Sequence, residues 1–371
     1  RTESSRKCGT SHVRTYMSLS AMTGQELPGS DLIRRCWMID SFASPDKLGT
    51  GNPAAVVLLT PETNPDDPTS REWMQVVAAE FNLSETAFIW PCVRDPPQGI
   101  TAEQFHIRYF TRNGSEVDLC GHATLASASV VLHFLEPGQE DKSDQALFHA
   151  KHDTLRAKAA APPAGETHVS SRLSARRIEM DFPWKDQHEI TSLDKRSDVI
   201  SMLRSAFHLQ CDADSAPFSD SVIYVGIDDE GGDILVELTQ QLFLNLCSEE
   251  KVDYSHMVAL DGYNRGIIVC CSCLSKEQTM NMDRDCNKNE TETDFMSRFF
   301  GPKVGINEDP VTGSAHCLLG PYFGAKLNKN KIVGKQMSSR GGIVECTLKA
   351  EDGSKRVSIV GTAVTFMSGT L

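Results

Sequence analysis

The sequence predicts an α+β protein made of two similar lobes, each built around one buried helix. Three observations support this fold class. The chain has 371 residues, 40% hydrophobic and 23% charged, which is enough for two ordinary cores. One sequence pattern occurs twice, and each copy leads into a helix that is apolar on all sides. Around these helices, short apolar runs bounded by turn residues are typical of strands.

The repeated pattern consists of EVDLCGHA at residues 116–123 and EDPVTGSA at residues 308–315. Each copy has an acidic start, a conformational break, a glycine, a polar residue and an alanine. Apolar helices are predicted to follow at 121–134 and 313–327. Because neither helix has a polar face, we expect each to be the central element of its lobe.

The first lobe is predicted at residues 36–185, with a tail strand at about 361–371 returning to it. A helix is expected at 70–81, where Ser70 can cap the first turn and apolar residues recur near helical spacing. Strands are expected at 36–42, 54–59, 87–90, 106–110 and 178–182.

The second lobe is predicted at residues 190–360, after a polar linker at 183–194. A helix is expected at 197–207. Residues 275–293 are rich in Asn, Asp and Glu and indicate an exposed insertion, while the polar residues 1–35 are treated as an extension outside the fold. Strands are expected at 222–225, 234–238, 265–271, 342–348, 357–360 and 363–366.

Charge and hydropathy exclude several classes of protein. The formal net charge is −13, and a negative surface repels phosphate backbones, so we expect no nucleic-acid partner. No apolar stretch reaches the ~20 residues of a bilayer span, and the first 30 residues lack the apolar run of a secretion signal, so we expect no membrane association. An acidic protein can still hold a small carboxylate through local backbone N–H groups.

The twelve cysteines indicate free thiols in a reducing, cytoplasmic compartment. Cys270, Cys271 and Cys273 are close enough in sequence to suggest metal ligands. However, they continue a strand-like run, and no paired CxxC motif lies elsewhere. We therefore favour buried thiols and predict no metal site.

The two glycine-led helix starts predict a binding site for an anion. The first N–H groups of each helix have no intrahelical partner, and the helix dipole adds about half a positive charge there. If the lobes face each other, Gly121 and Gly313 converge on one cleft, with His122 and Ser314 beside a substrate carboxylate. The alternative, on this evidence equally good, is that both are simply well-capped core helices.

Glu85 is the candidate acid/base. It lies in NLSETAF, residues 82–88, between a predicted helix and an apolar strand. Apolar neighbours remove hydration from a carboxylate, which raises its pKa towards the range useful for proton transfer. The alternative interpretation is that Glu85 is a capping or turn residue.

Five motifs in chain order resemble those of the phenazine-biosynthesis PhzF-like family. Together they run from about residue 36 to the end of the chain and are interrupted mainly by the insertion. The motifs are DSF with GNPAAV (40–42 and 51–56), NLSETAF (82–88), YFT with CGHATL (109–111 and 120–125), FGP with EDPVTGSAH (300–302 and 308–316), and the C-terminal segments around 336–342 and 361–364.

This resemblance implies a diaminopimelate-epimerase-like fold, in which each lobe is a β-barrel-like sheet around a central helix and the active site lies between the lobes. It implies an isomerase that uses no cofactor. By the same resemblance, Glu85 matches the catalytic acid/base. The residues matched to substrate binding are Gly121, His122, Asp309, Gly313 and Ser314.

The expected partner is a small carboxylate substrate, and a homodimer is left open. Related epimerases use two facing cysteines, but the repeat places Cys120 opposite Thr312, which cannot act as a thiolate. One base, Glu85, suits proton transfer between two carbons on one face of the substrate. Epimerisation or racemisation of an amino-acid-like substrate stays as the alternative, with Cys120 or Asp309 as second base. A catalytically silent binding protein is a third reading.

Overall fold

The computed structural model describes residues 34–44, 47–92, 102–135, 143–161, 175–209, 218–248, 251–273, 293–351 and 353–371. The predicted extension, up to residue 33, and the predicted insertion, up to residue 292, lie outside the described residues. The boundaries assigned to the two lobes stay a prediction. None of the helices in the described part has the length and apolar character of a bilayer span.

The described chain forms 17 strands and six α-helices. The strands are β1 Arg35–Ser41, β2 Asn52–Leu58, β3 Glu85–Pro91, β4 Glu103–Thr111, β5 Glu116–Val117, β6 Gln145–His149, β7 Thr154–Ala159, β8 Ala175–Pro183, β9 Gln187–Glu189, β10 Val222–Asp228, β11 Asp233–Leu238, β12 Gly266–Ser272, β13 Phe295–Gly301, β14 Ile306–Asp309, β15 Lys331–Gln336, β16 Gly342–Glu351 and β17 Ser354–Thr370. The helices are α1 Pro68–Phe81, α2 Gly121–His133, α3 Leu193–Ala206, α4 Gln240–Ser248, α5 Ser255–Ala259 and α6 His316–Leu327.

Eight strands close the first barrel. β1 pairs with β2, β2 runs parallel to β3, β3 pairs with β4, and β4 runs parallel to β6. The circuit continues through β7 and β8 to β17, which pairs with β1. Closure leaves this sheet without an open edge along the circuit.

Helix α2 fills this barrel. Every residue from Gly121 to Leu132 is buried, as expected for a helix with no polar face. Two of its three buried hydroxyls are satisfied within the helix, since Thr124 Oγ1 donates to Cys120 O at 2.6 Å and Ser127 Oγ donates to Ala123 O at 2.8 Å, whereas Ser129 Oγ has no hydrogen-bond partner among the described residues. The small side chains let the helix lie close to the strands around it.

The second sheet runs from β9 through β10, β11, β12, β13, β15 and β16 to β17. Helix α6 packs on β15, β16 and β17. Pro321 lies inside α6 and has no N–H for the carbonyl of Cys317. The N–H of Lys185 donates to that carbonyl instead, at 2.9 Å, so the segment between the lobes satisfies the helix.

Two predicted helix starts were placed too late. Helix α1 begins at Pro68, and its cap is Asp67, whose carboxylate accepts from the N–H of Ser70 at 2.9 Å. Ser70 is therefore inside the helix and does not cap it. Helix α3 begins at Leu193 after the cap residue Ser192, so the predicted polar linker includes its first turn as well as β9.

The second central helix and the C-terminal tail also differ in detail. Gly313–Ala315 form a 3₁₀ turn, and the α-helix proper starts at His316. The two predicted tail strands are one strand of 17 residues, β17. Gly361 lies within this strand without ending it. Its role is in packing, because a Cβ at this position would lie 2.2 Å from the ring of Phe42. The elements that the sequence prediction omitted are β5, β6, β7, β9, β13, β14, β15, α4 and α5.

Candidate active site

The two copies of the repeat meet at their glycines. A Cβ built on Gly121 would lie 3.4 Å from the Cα of Gly313 and 3.5 Å from the backbone N of Ser314. The N-termini of the two central helices therefore converge on one place, between the lobes. The contact is also a close helix–helix approach, so tight packing accounts for both glycines whether or not an anion binds there.

Glu85 lies beside this junction as the first residue of β3. It does not cap helix α1, which ends at Asn82 in the left-handed conformation, φ 51°. The carboxylate is only 7% exposed, and its Oε2 has no hydrogen-bond partner among the described residues. Burial, followed by the negative charge of Asp309, raises the pKa of Glu85 from 4.5 to about 7.

His122 lies next to Glu85, with Nε2 at 3.3 Å from Oε2. Burial lowers the pKa of His122 to about 3, so the ring is neutral at physiological pH and does not form a permanent ion pair with Glu85. The groups near Nδ1 are the amide nitrogen of Asn52, at 3.2 Å, and the thiol of Cys120, at 3.4 Å. Both are donors, which assigns the ring proton to Nε2.

A closed set of hydrogen bonds then fixes the imidazole. Asn52 Nδ2 faces Nδ1 of His122, Nε2 faces Ser84 Oγ at 3.3 Å, and Ser84 Oγ donates back to Asn52 Oδ1 at 3.4 Å. His122 is thus held in place by neutral partners. The carboxylate oxygen of Glu85 stays available for another molecule.

Asp309 comes from the other lobe, at the end of β14. Its Oδ1 accepts from Asn52 Nδ2 at 2.8 Å, and its Oδ2 accepts from Thr312 Oγ1 at 2.5 Å. Burial raises the pKa of Asp309 to about 6, although both hydrogen bonds oppose this. Gln336 supports the loop by accepting from the N–H of Thr312 at 2.9 Å and donating to the carbonyl of Asp309 at 2.7 Å.

Cys120 and Thr312 occupy the two positions that the repeat makes equivalent. Cys120 precedes helix α2 and is buried. Burial, with the nearby charge of Glu85, raises the pKa of this thiol well above its ordinary value, so it is not a thiolate at neutral pH. Thr312 gives its hydroxyl hydrogen to Asp309. Neither group is placed as a ready base.

Ser314 lies at the start of the second central helix, where its Oγ accepts from Arg265 Nη1 at 2.8 Å. The sequence analysis assigned no role to four residues of this site, which are Arg265, Asn52, Ser84 and Gln336. Asn52 had a usable signal, since it is a polar residue at the start of an apolar strand. Arg265 had none, because a charged residue beside a strand is usually exposed.

Glu85, Cys120 and His122 bring potential metal-ligand atoms within 4.8 Å of one another. The sequence offered no such cluster, and the absence of a metal site stays a prediction. Binding through Nε2 would require the imidazole to give up the proton assigned above, because Nδ1 already faces two donors. The hydrogen bonds around His122 therefore favour the metal-free arrangement.

The chain matches the family described as phenazine biosynthesis-like protein over residues 39–369. It belongs to that family. It is 36% identical to an uncharacterized isomerase from Halalkalibacterium halodurans, over 90% of this chain and 97% of that protein. It is 31% identical to the human phenazine biosynthesis-like domain-containing protein, over 90% of this chain and 98% of that one.

A crystal structure of a PhzF-family phenazine biosynthesis protein from Enterococcus faecalis has the same fold. Its TM-score is 0.64 at 29% identity, covering 91% of this chain and 99% of that one. This similarity confirms the predicted α+β, epimerase-like fold class. With relatives named as isomerases, the phenazine biosynthesis-like chain is itself an isomerase.

Proposed function

We propose that this isomerase uses no cofactor and that Glu85 moves a proton between two carbon atoms of a small carboxylate held between the lobes. One observation carries the proposal: Oε2 of Glu85 is buried, has no hydrogen-bond partner in the part of the chain that the structure describes, and belongs to a carboxyl group whose pKa is about 7. A general acid/base works best when its pKa is near the working pH, because it must both accept and release the proton.

The proposed binding mode uses the convergence of the two helix starts. The substrate carboxylate accepts from N–H groups near Gly121 and Gly313, where each helix has donors without intrahelical partners. His122 and Ser314 border the same place. Asp309, an acceptor from the second lobe, suits an amine or another donor on the substrate, which makes an amino-acid-like or aminated-ring compound the expected class.

The proposed proton transfer takes place on one face of the substrate. Ionised Glu85 removes a proton from the first of three adjacent carbons, of which the second and third are joined by a double bond. The electron pair of the broken C–H bond forms a new double bond between the first and second carbons. The electrons of the original double bond move to the third carbon. The protonated Glu85 returns the same proton to that third carbon. Neutral His122 assists by leaving Glu85 without a fixed counter-charge.

Asp309 makes the epimerase alternative specific. It is a second buried carboxyl group with a raised pKa, about 6, and it is close enough for its negative charge to raise the pKa of Glu85. Two such groups on opposite faces could remove a proton from one side of a carbon and deliver one to the other. Cys120 is the weaker second base, because its thiol is held protonated.

The test begins with a screen of small carboxylic acids for thermal stabilisation of the protein. Each acid that stabilises it is then incubated with enzyme in heavy water and followed by proton NMR. We expect C–H exchange with a shifted double bond, and we expect Glu85→Gln to lower the rate by about 10²–10⁴-fold. Glu80→Gln, the same change at an exposed helix residue, is the matched control.

The outcomes separate the readings. Exchange at one carbon with inversion and no shift of the double bond would favour epimerisation through Asp309. Acids that bind without exchange would favour a silent binding protein. Wild-type exchange by Glu85→Gln would refute the role of Glu85.

A reducing, cytoplasmic setting is part of the proposal. All nine cysteines in the described part of the chain are free thiols, as the sequence predicted. Fractionation of cells followed by immunodetection would test the location.

A further inference from the structure

Arg265 is a fixed cation at the edge of the candidate site. Its Nε donates to Asp233 Oδ1 at 2.8 Å, and its Nη2 contacts Asp233 Oδ2. Asp233 is fully buried on β11. Its backbone is held in place by Asp228, whose carboxylate accepts from the N–H groups of Gly232 and Asp233. The guanidinium therefore cannot swing away without stranding a buried carboxylate.

The remaining hydrogen-bonding capacity of Arg265 points to a ligand. A guanidinium has five N–H donors, and the contacts with Asp233 and Ser314 use three of them. One N–H on each terminal nitrogen is left over. The side chain is 31% exposed, so these donors can reach a molecule that enters between the lobes.

Ser314 is polarised by the same contact. Because its Oγ accepts from Arg265 Nη1, its own hydrogen points elsewhere and can be donated. The backbone N of Ser314 is next to Gly121, so this hydroxyl lies at the junction of the two helix starts. Hydroxyl, backbone N–H groups and guanidinium together form a set of donors, which fits an anion.

We propose that Arg265 is a positioning residue for the substrate carboxylate, holding Ser314 as a donor and adding its own free N–H groups to the anion. This rests on the proposed function for the identity of the bound group as a carboxylate, but not on the role of Glu85. A purely structural Arg265 would only neutralise Asp233, and its replacement would change stability without changing the preference for an anion.

The experiment measures binding of malonate and of its neutral analogue malonamide by titration calorimetry. We expect wild-type protein to bind malonate in preference to malonamide. Arg265→Lys keeps the charge beside Asp233 but cannot contact both Asp233 and Ser314. It should weaken malonate binding by about 10-fold or more and leave malonamide unchanged. Arg177→Lys is the matched control, since Arg177 also forms a two-bond pair, with Glu345, and its hydrogen bonds involve no residue of this site.

A double-mutant cycle with Ser314→Ala identifies the mechanism. Ser314→Ala leaves the Arg265–Asp233 pair intact and remains informative if Arg265→Lys folds poorly. If Arg265 acts through Ser314, the double variant should bind malonate much more tightly than the product of the two single effects predicts.

Malonate binding within about 2-fold of wild type in either single variant, multiplicative effects in the double variant, or no preference of the wild type for malonate over malonamide would overturn the proposal. Glu85→Gln keeps the donors of Arg265 and Ser314, so it should still prefer malonate to malonamide. A failure of the proton-transfer proposal therefore leaves this measurement interpretable on its own.

Discussion

Replacing Glu85 by Gln should make the protein more stable at alkaline pH while removing its activity. In the folded chain the pKa of Glu85 is about 7, compared with an ordinary value of 4.5. Because the group is buried, its ionised form is destabilised mainly by the loss of hydration. Gln has nearly the same shape and never ionises, so the variant avoids that cost.

The sign follows from proton binding. Below pH 4.5 Glu85 is protonated in both states and makes no pH-dependent contribution. Between pH 4.5 and 7 the unfolded chain has lost the proton while the folded chain keeps it, so stability falls as pH rises. Above pH 7 the loss is complete. A difference of about 2.5 pKa units corresponds to roughly 3 kcal/mol, as an upper figure because Asp309 titrates nearby.

Urea unfolding at pH 5 and pH 8 measures the effect. We expect Glu85→Gln to exceed wild type by about 1–3 kcal/mol at pH 8 and by much less at pH 5, with equal urea dependence. Glu80→Gln should show no such difference between the two pH values. If Glu85→Gln is equal to or less stable than wild type at pH 8, the carboxylate is better solvated than its burial implies and the reasoning fails.

Three further outcomes are expected. Asn52→Ala should lower stability by about 2–4 kcal/mol in urea unfolding and also reduce isomerase activity, because it strands the buried partners of its amide, which are His122 in the first lobe and Asp309 and Val311 in the second; a change below about 0.5 kcal/mol would contradict this. Gly361→Ala should be strongly destabilising and Gly121→Ala mild, since the new methyl group would lie 2.2 Å from the ring of Phe42 in the first case and 3.4 Å from its nearest neighbour in the second; comparison of their melting temperatures decides. Cys120→Ser should keep at least about a tenth of the heavy-water exchange rate, whereas a loss like that of Glu85→Gln would make the thiol a catalytic group.

Sequence reasoning located the parts of the site that are carried by local patterns. The glycine-led repeat is visible because both helices are apolar on all sides, and the structure brings its two copies together. Glu85 could be singled out because it precedes an apolar strand. The position of one strand relative to another is not encoded locally, and this is why β14 and β15 could not be seen to present Asp309 and Gln336 to the same loop.

The unassigned residues have a common physical reason. Asn52, Ser84 and Arg265 act through hydrogen bonds to residues far away in the sequence, and a single sequence contains no sign of such pairs. The helix starts that were predicted too late have a different reason. Asp67 followed by Pro68 is a complete start signal, but an acidic residue before proline also reads as a turn.

Strand β17 has a consequence for how the molecule is made. Residues 354–360 of this strand pair with β16, and residues 363–370 pair with β1, so the last strand of the chain belongs to both sheets. During synthesis each sheet therefore emerges without one of its strands, and neither can complete its pairing until β17 has left the ribosome. Both lobes should complete folding together once β17 is available, and a chain cut before β17 should leave two sheets with exposed edges prone to aggregation.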